Sequence, residues 1–402
     1  MNRPYRVAYL VSHPIQYQAP LLRRVARDPE IELTVFFCGD HSLKHHHDEG
    51  FGRDVEWDVP LRDGYDHHFL AGFLTGGPPG FLCPLNRGLT THLRNGGYDA
   101  LWVHGYMRLY HLWSMMRARL SGLIVLNRDE AWSRSATRGP FKTAFKKLFY
   151  AGLRRICHGW LTIGTANRDY YLASGMTADT MFAMPYAVDN DYFSRLATEA
   201  ADRREELRGE LGLAPGRPVI LYASKFTPRK RPDDLLEAFA RIAADPACRN
   251  PYLVMVGDGE QRGALQARSR QAGLEGSVIF AGFRNQSELP GFYDLCDVFV
   301  LPSMLEPWGL VVNEAMNAGR AVIVSDQVGA GADLVRDGEN GLVFPAGDIA
   351  ELADRLARIL SDPARTRAMG EAGRAIVSGW GFEQDVAGLK DALRHFLGER
   401  TG

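Results

Sequence analysis

Short apolar runs alternate with amphipathic stretches along most of the chain. Residues 6–11, 31–37, 100–104, 123–127 and 160–164 are β-branched or aromatic runs of strand length. Helical spacing separates several of them, as at 17–27 and 110–120. This alternation predicts a parallel sheet covered by helices on both faces. Residues 39–85 break the rhythm with the histidine run 45–47, the pair His67 and His68, and a glycine–proline cluster at 76–80. An irregular stretch of that length in a compact domain is usually functional or mobile. A charged segment at 199–212 and turn-rich residues 214–218 read together as a linker. The alternation then restarts, with strands at 219–223, 252–256, 278–281, 298–301 and 321–325. Helices are expected at 232–243 and 309–318, the second stopping at Gly319. The pattern predicts two doubly wound α/β domains, 1–195 and 217–380, joined by a linker at 196–216 and followed by a C-terminal helix within 381–402. Ligands of such sheets bind beyond the carboxyl ends of the strands, so the cleft between two of them is the expected site.

Composition narrows the class. The chain has 402 residues, enough for two domains or three, and is 46% hydrophobic and 24% charged. A net charge of −1 excludes a global basic field for nucleic acid. No aromatic-basic strand pattern of a nucleic-acid binder is present either. Five cysteines without paired spacing argue against a disulfide framework and a zinc site, and read as reduced thiols of a cytoplasmic protein. The apolar run at 7–11 is too short for a signal-peptide core. No stretch approaches the roughly 18 apolar residues of a membrane span. The expectation is a cytoplasmic protein, at most peripheral on the inner membrane face.

Two segments carry the candidate chemistry. In 301–319 (LPSMLEPWGLVVNEAMNAG) a strand runs into a loop with Glu306, and a helix begins near Gly309. Free N–H groups and the positive dipole end make a helix start an anion site, and Gly309 allows close approach of a diphosphate. Glu314 lies about one and a half turns into that helix, where it can accept from sugar hydroxyls. The plainer alternative is one surface glutamate and one on a helix face. In 221–232 (LYASKFTPRKRP) a strand is followed by Lys225, Arg229, Lys230 and Arg231. Two of these cations can neutralise a leaving diphosphate, the work magnesium does elsewhere. A solvated basic loop is the alternative.

The spacing Glu306-x7-Glu314 resembles the paired-glutamate motif of retaining glycosyltransferases of family four, which have the GT-B fold. Ser224, Lys225 and Phe226 occupy that family's Gly-Arg-Leu positions, and Lys230 matches its lysine. Gly257-Asp258-Gly259, Ala281-Gly282-Phe283, Gly338 to Leu342 and Met184 to Asp189 are further matches, so the resemblance is specific over 184–360. It implies two Rossmann-like domains facing across a cleft, an N-terminal acceptor domain and a C-terminal nucleotide-sugar domain. It also implies a C-terminal helix returning to the first domain, with closure around the donor. By that resemblance Glu314 binds the ribose hydroxyls, and Glu306 contacts the donor sugar or supports positive charge at its anomeric carbon. Lys225, Lys230 and the amides of Gly309 and Leu310 hold the diphosphate, and the base lies near Phe283 and Arg284. Transfer proceeds on one face of the sugar with no protein nucleophile, no cofactor and no metal. The donor is a nucleotide sugar, a UDP-sugar by preference; the acceptor, a saccharide, lipid-linked or small molecule, is unknown. The alternatives are a GT-B nucleotide-sugar epimerase and a catalytically degenerate sugar-binding or scaffold subunit.

The first half departs from that family. Where members carry a Gly-Gly pair, this chain has Ser12-His13-Pro14-Ile15-Gln16-Tyr17-Gln18, which points to acceptor contacts by His13, Gln16 and Gln18. Where many members have a His that touches the donor sugar, it has Arg128 and Asp129. His104 and Tyr106 follow the preceding strand as further acceptor candidates. The histidine-rich segment 41–68 fits no standard metal spacing and reads as a solvated loop. Residues 138–156 combine apolar helical spacing with many cations. They read either as an ordinary packed helix or as an interfacial helix on an anionic membrane.

Overall fold

The computed structural model describes residues 3–43, 46–48, 50–74, 80–82, 85–132 and 140–399. It divides into two compact units. The first comprises Met1–His45, Pro60–Tyr186 and Phe382–Gly402, the second His46–Val59 and Ala187–Gly381.

The first unit is built on a seven-stranded, fully parallel sheet. Its strands are β1 (Tyr5–Val11), β2 (Ile31–Phe37), β3 (Asp66–Phe69), β4 (Ala100–His104), β5 (Ile124–Arg128), β6 (Gly159–Thr162) and β7 (Met181–Ala183), in the spatial order β7-β6-β5-β4-β1-β2-β3. Side chains alternate between its faces. Leu101 and Val103 of β4 enter one core with α2 (Leu89–Asn95), α3 (Leu109–Leu120) and α4 (Pro140–Ile156), through Leu93, Met115 and Leu153. Ala100 and Trp102 enter the other core with α1 (Ala19–Ala26) and the C-terminal helix, through Leu22, Val25, Leu389 and Leu393. That last helix, Phe382–Leu397, therefore belongs to the first unit, as expected. Arg394 and Lys390 bind Glu30 at 2.8 Å, and Arg24 pairs with Glu383.

The second unit has a six-stranded parallel sheet. Its strands are β8 (Val219–Ala223), β9 (Tyr252–Val256), β10 (Val278–Gly282), β11 (Val298–Leu301), β12 (Ala321–Ser325) and β13 (Gly341–Phe344), in the order β10-β9-β8-β11-β12-β13. Strands β8, β9, β11 and β12 are buried at every position, because helices cover both faces. Strand order reverses between β1 and β4 in one sheet and between β8 and β11 in the other. The carboxyl ends at these reversals are where doubly wound sheets hold ligands.

Two sequence expectations are corrected. The linker expected at 196–216 is largely helical: helices Asn190–Ala201 and Arg204–Glu210 belong to the second unit. Their charge suggested a linker, but Phe193 and Ala197 are buried, Asp189 caps the first helix at Tyr192 N (3.0 Å), and Arg204 binds Asp294 at 2.8 Å. The irregular 39–85 stretch also divides. Strands Arg53–Val55 and His46–Asp48 form an antiparallel hairpin in the second unit, while Asp66–Phe69 completes the first unit's sheet. His45, Cys83 and 76–79 lie outside the described residues, as do 138 and 139. Cys38, Cys157, Cys248 and Cys296 are buried free thiols. Among the described residues no helix is long and apolar enough to cross a membrane.

Candidate active site

At the reversal in the second unit, the loop after β8 meets the loop after β11. Lys230 Nζ donates to Glu306 Oε2, and both side chains are nearly nine-tenths buried. Glu306 is locked by its backbone: its N–H donates to the Gln327 carbonyl (3.1 Å) and its carbonyl accepts from Gly329 N–H (2.9 Å). Three residues on, Gly309 adopts φ +97°, and a Cβ there would lie 3.2 Å from the Glu306 Cγ. The chain needs glycine to turn into α5 (Leu310–Asn317) at this point. No side chain caps that helix start, so its first amides are directed out of the helix end.

Glu314 lies in the body of α5 and is 9% exposed. Its Oε2 accepts from Tyr293 Oη at 2.6 Å. Burial pushes its carboxyl up to about 7, only partly offset by that hydrogen bond. Trp308 Nε1 donates to Asn313 Oδ1 (2.9 Å), and the Trp308 ring stacks on Trp380 with centroids 5.5 Å apart, which holds the loop against the helix.

Lys225 lies at the start of the loop after β8, beside the turn that follows β9. Its carbonyl accepts from Tyr222 Oη (2.9 Å), and Phe226 N–H donates to the Asp258 carbonyl (2.8 Å). Gly257 has φ +135°, and a Cβ there would sit 2.0 Å from the Ser224 carbonyl oxygen, so the Gly-Asp-Gly turn lies directly against the lysine loop. Lys225 Nζ donates to both oxygens of Asp48, at 2.7 and 2.9 Å. Burial pushes the Asp48 carboxyl up, but Lys225 and the amides of Phe51 and Gly50 outweigh it and hold it below the usual carboxylate range. Phe283 is packed edge-on by Phe51 (centroids 4.9 Å), lies beside Trp57 (6.4 Å) and is covered by the Arg53 guanidinium (5.2 Å). Arg284 donates to Glu288 at 3.0 Å and lies over Phe292 at 5.4 Å. Lys225, Lys230, Glu306, Gly309, Leu310 and Glu314 thus follow the carboxyl ends of the neighbouring central strands β8 and β11, with Phe283 and Arg284 at the end of β10.

The hairpin contacts were not foreseen. Asp48, Gly50 and Gly52 carry a legible turn signal, and Asp48 Oδ1 accepts from Gly50 N–H at 2.9 Å, but nothing local names Lys225 as the partner.

In the first unit, residues at or beyond the carboxyl ends of β1, β4, β5 and β7 form a polar cluster. Tyr9 Oη donates to Gln18 Oε1 (2.5 Å), and Gln18 Nε2 lies 2.9 Å from the His104 ring. Burial pulls the His104 imidazole down to about 3, with the Arg128 charge adding to it. Tyr186 Oη lies 3.5 Å from His104 and donates to Glu130 at 2.9 Å; Tyr17 reaches the same carboxylate at 3.3 Å. Tyr17, Glu130 and Tyr186 are additions to the sequence reading. Ser12 Oγ bonds His13 Nδ1 (2.8 Å), and Gln16 is half-buried beside it.

Three expected contacts are buried within the protein instead. Arg128 is 2% exposed and donates to the Met184 and Pro185 carbonyls and to Asp385 (3.0, 2.8 and 2.8 Å). Asp129 is buried and accepts from Tyr171 Oη and Ala131 N–H; burial pushes it up to about 6 despite these bonds. Tyr106 points into the helix layer and bonds Tyr150 at 2.5 Å. Their positions after strand ends suggested ligand contacts, but core packing against the helices turns them inward. Among the described residues no group of three or more His, Cys, Asp or Glu is placed to hold a metal ion.

Comparison with known proteins adds a family likeness. The model for "Glycosyl transferases group 1" matches residues 203–376. The chain is 34% identical over 208 residues to D-inositol 3-phosphate glycosyltransferase of Nocardia farcinica, a match covering 50% of this chain and 46% of that one. It is 32% identical over 256 residues to the GDP-mannose-dependent alpha-(1-6)-phosphatidylinositol monomannoside mannosyltransferase of Mycobacterium tuberculosis, covering 60% and 64%. The chain thus spans about half to two thirds of the length of these curated relatives. The crystal structure of Anabaena HepE in complex with UDP and glucose superposes with a TM-score of 0.71 at 19% identity, covering 97% of this chain and 99% of that one. The second unit is therefore similar in sequence to the group 1 glycosyl transferases over 203–376, and the chain has the GT-B fold of solved glycosyltransferases.

Proposed function

We propose that the protein is a retaining, metal-independent glycosyltransferase. In this reading it moves a sugar from a nucleotide sugar, by preference a UDP-sugar, to an acceptor in polysaccharide, glycolipid or glycosylated-metabolite synthesis. The observation that carries the reading is the assembly of Lys230–Glu306, the uncapped start of α5 and the buried Glu314 at one strand-order reversal. Glu314 accepts from the ribose hydroxyls. The α5 amides and the lysines receive the diphosphate, supplying the positive charge a metal would otherwise bring. The bond from the anomeric carbon to the β-phosphate oxygen breaks, and a bond to the acceptor oxygen forms on the same face. The acceptor proton passes to the leaving phosphate. Glu306, fixed by its backbone bonds, stabilises positive charge at the anomeric carbon. His13 and His104 of the first unit are the candidates for acceptor contact, with the buried Gln18 holding the His104 ring.

The test is transfer and donor hydrolysis assayed over UDP-, GDP-, ADP- and TDP-sugars with EDTA present, and the anomeric configuration of the product read by NMR. Activity with retained configuration and no metal requirement is expected. Absence of turnover and binding with every donor, or an inverted product, overturns the reading.

The pH dependence has a defined sign. Ionised Glu314 is the better acceptor, so nucleotide affinity falls as pH drops through about 7, and Glu314→Gln flattens the profile. Folding moves the other way. The folded chain binds this proton near 7 and the unfolded chain only near 4.5, so protonation in that window favours the fold. Calorimetric titration of UDP from pH 6 to pH 8, alongside thermal melts, separates the two effects.

We also place the protein in the cytoplasm, at the inner face of a membrane. Helix α3 supports this more than 138–156 does. In α4, Tyr150 and Leu153 are buried in the core, and Leu148 is the apolar side chain left outward among the described ones from 146 on. On α3, Leu109, Trp113, Met116 and Leu120 form one exposed helical face. Helices α2, α3 and α4 contain no aspartate or glutamate, and the Arg117 guanidinium lies 5.9 Å from the Trp113 ring on this face. Apolar side chains beside cations, without acidic residues on the helix, suit an anionic lipid surface. Flotation with anionic vesicles is the check. Trp113→Ser with Leu120→Ser should remove binding, and each lost cation should weaken it about fivefold, from roughly 1 kcal/mol per charge. Equal recovery with zwitterionic vesicles contradicts the assignment.

A further inference from the structure

We infer that Asp48 is a positioning residue for donor binding: it holds Lys225 before the donor arrives and yields it to the donor diphosphate. The inference rests on the nucleotide-sugar reading above. Its basis is the charge balance of the loop after β8. Arg231 is matched by Asp234 (2.7 Å), Lys230 by Glu306 and Lys225 by Asp48 (2.7 Å); Arg229 is exposed at the surface. A dianionic diphosphate arriving at this arrangement finds both candidate lysines already neutralised. One of these ion pairs must open before a lysine can act on the phosphate with its full charge.

The two pairs differ in their freedom to do so. Both carboxylates are held by backbone bonds, Glu306 through Gln327 and Gly329 and Asp48 through the amides of Gly50, Phe51 and Gly52, so the difference lies in the exposure of the pairs: the Lys230 and Glu306 side chains are 12% and 11% accessible. Asp48 sits at the end of a hairpin strand of three residues, and its pair is the more open of the two on the lysine side, with Lys225 34% and Asp48 18% accessible, so it is the lysine that can turn away. An ion pair with a partly exposed lysine is the weaker of the two, so a phosphate can displace it. The hairpin also reaches further along the strand ends of the second unit. The Gly50 backbone lies against the Lys225 stem, where a Cβ would come within 2.6 Å of Cδ. Phe51 and Trp57 flank Phe283, Asn285 Nδ2 donates to the Glu56 carbonyl (2.7 Å), and Ser287 donates to Asp58. The hairpin thus joins the phosphate lysine to the residue that the family resemblance puts beside the base. Its aromatic end stays with Phe283 while its Asp48 end releases Lys225.

The experiment compares wild-type protein with Asp48→Asn by calorimetry, using UDP and uridine as probes. Asparagine keeps the acceptor for the Gly50 and Phe51 amides, so the turn is preserved while the charge is removed. UDP should bind the variant about fivefold tighter, and uridine, which carries no diphosphate, should bind both proteins equally. Hydrogen exchange of the 50–55 amides in the wild type should quicken when UDP is bound. Unchanged or weaker UDP binding by Asp48→Asn, or a parallel change for uridine, overturns the assignment and leaves Asp48 a structural residue. Failure of UDP and GDP to bind either protein removes the nucleotide-sugar reading, and this inference with it.

Discussion

On the proposed glycosyltransferase reading, replacing Lys230 by alanine leaves the chain folded and lowers sugar transfer by about two to three orders of magnitude, the usual loss when one fixed donor to developing negative charge is removed. The lysine is 12% exposed and lies within hydrogen-bond contact of Glu306, so its loss removes a cation from the phosphate side and leaves a carboxylate that is 8% exposed without its counter-charge. Glu306 then loses the partner that fixes its carboxylate, which in that reading supports positive charge at the sugar. The readout is kcat and KM for the best donor, with circular dichroism and a melt to verify folding. A fall in kcat/KM with native spectra is expected. Lys230→Arg recovers only part of it, because a planar guanidinium cannot reproduce the ammonium's position. Wild-type turnover by Lys230→Ala would remove the lysine from the site.

Arg128→Met destabilises the first unit by about 3–5 kcal/mol, the range found when one partner of a buried ion pair is removed. Arg128 and Asp385 are 2% and 0% exposed and join β5 to the C-terminal helix at 2.8 Å. Burial already pushes the Asp385 carboxyl up to about 7 against the pull of Arg128. Without the guanidinium it takes up a proton, and the Met184 and Pro185 carbonyls lose their donor. Adding Asp385→Leu removes the unpaired acid and restores much of the stability. Urea unfolding of the two single variants and the pair measures this coupling. The same series decides between structure and ligand contact. If Arg128 touches the donor, affinity falls while the urea midpoint stays; the buried geometry predicts the reverse.

Much of the fold was readable because parallel strands covered on both faces appear as unbroken apolar runs. The bounds expected for β2, β4, β8, β9, β11 and β12 match the structure residue for residue. The segment 190–210 was misread because charge density resembles a linker, whereas Phe193 and Ala197 provide a buried stripe just wide enough for a surface helix. Glu306, Gly309 and Glu314 were legible as a set because they lie within nine residues of one strand–loop–helix turn, where local geometry already brings them together.

The pairings that give the site its electrostatics are of a different kind. Asp48 lies 177 residues from Lys225, and Arg128 lies 257 residues from Asp385. An arginine after a strand end looks the same in sequence whether it meets a sugar or a helix. A hydrophobic pattern records which side of an element is buried, not which other element buries it. The order of strands and helices, the carboxylate spacing and the glycine at the helix start were therefore local properties of this chain. Which cations were already neutralised, and which polar side chains were turned inward, depended on long-range packing that brought distant charges within 3 Å.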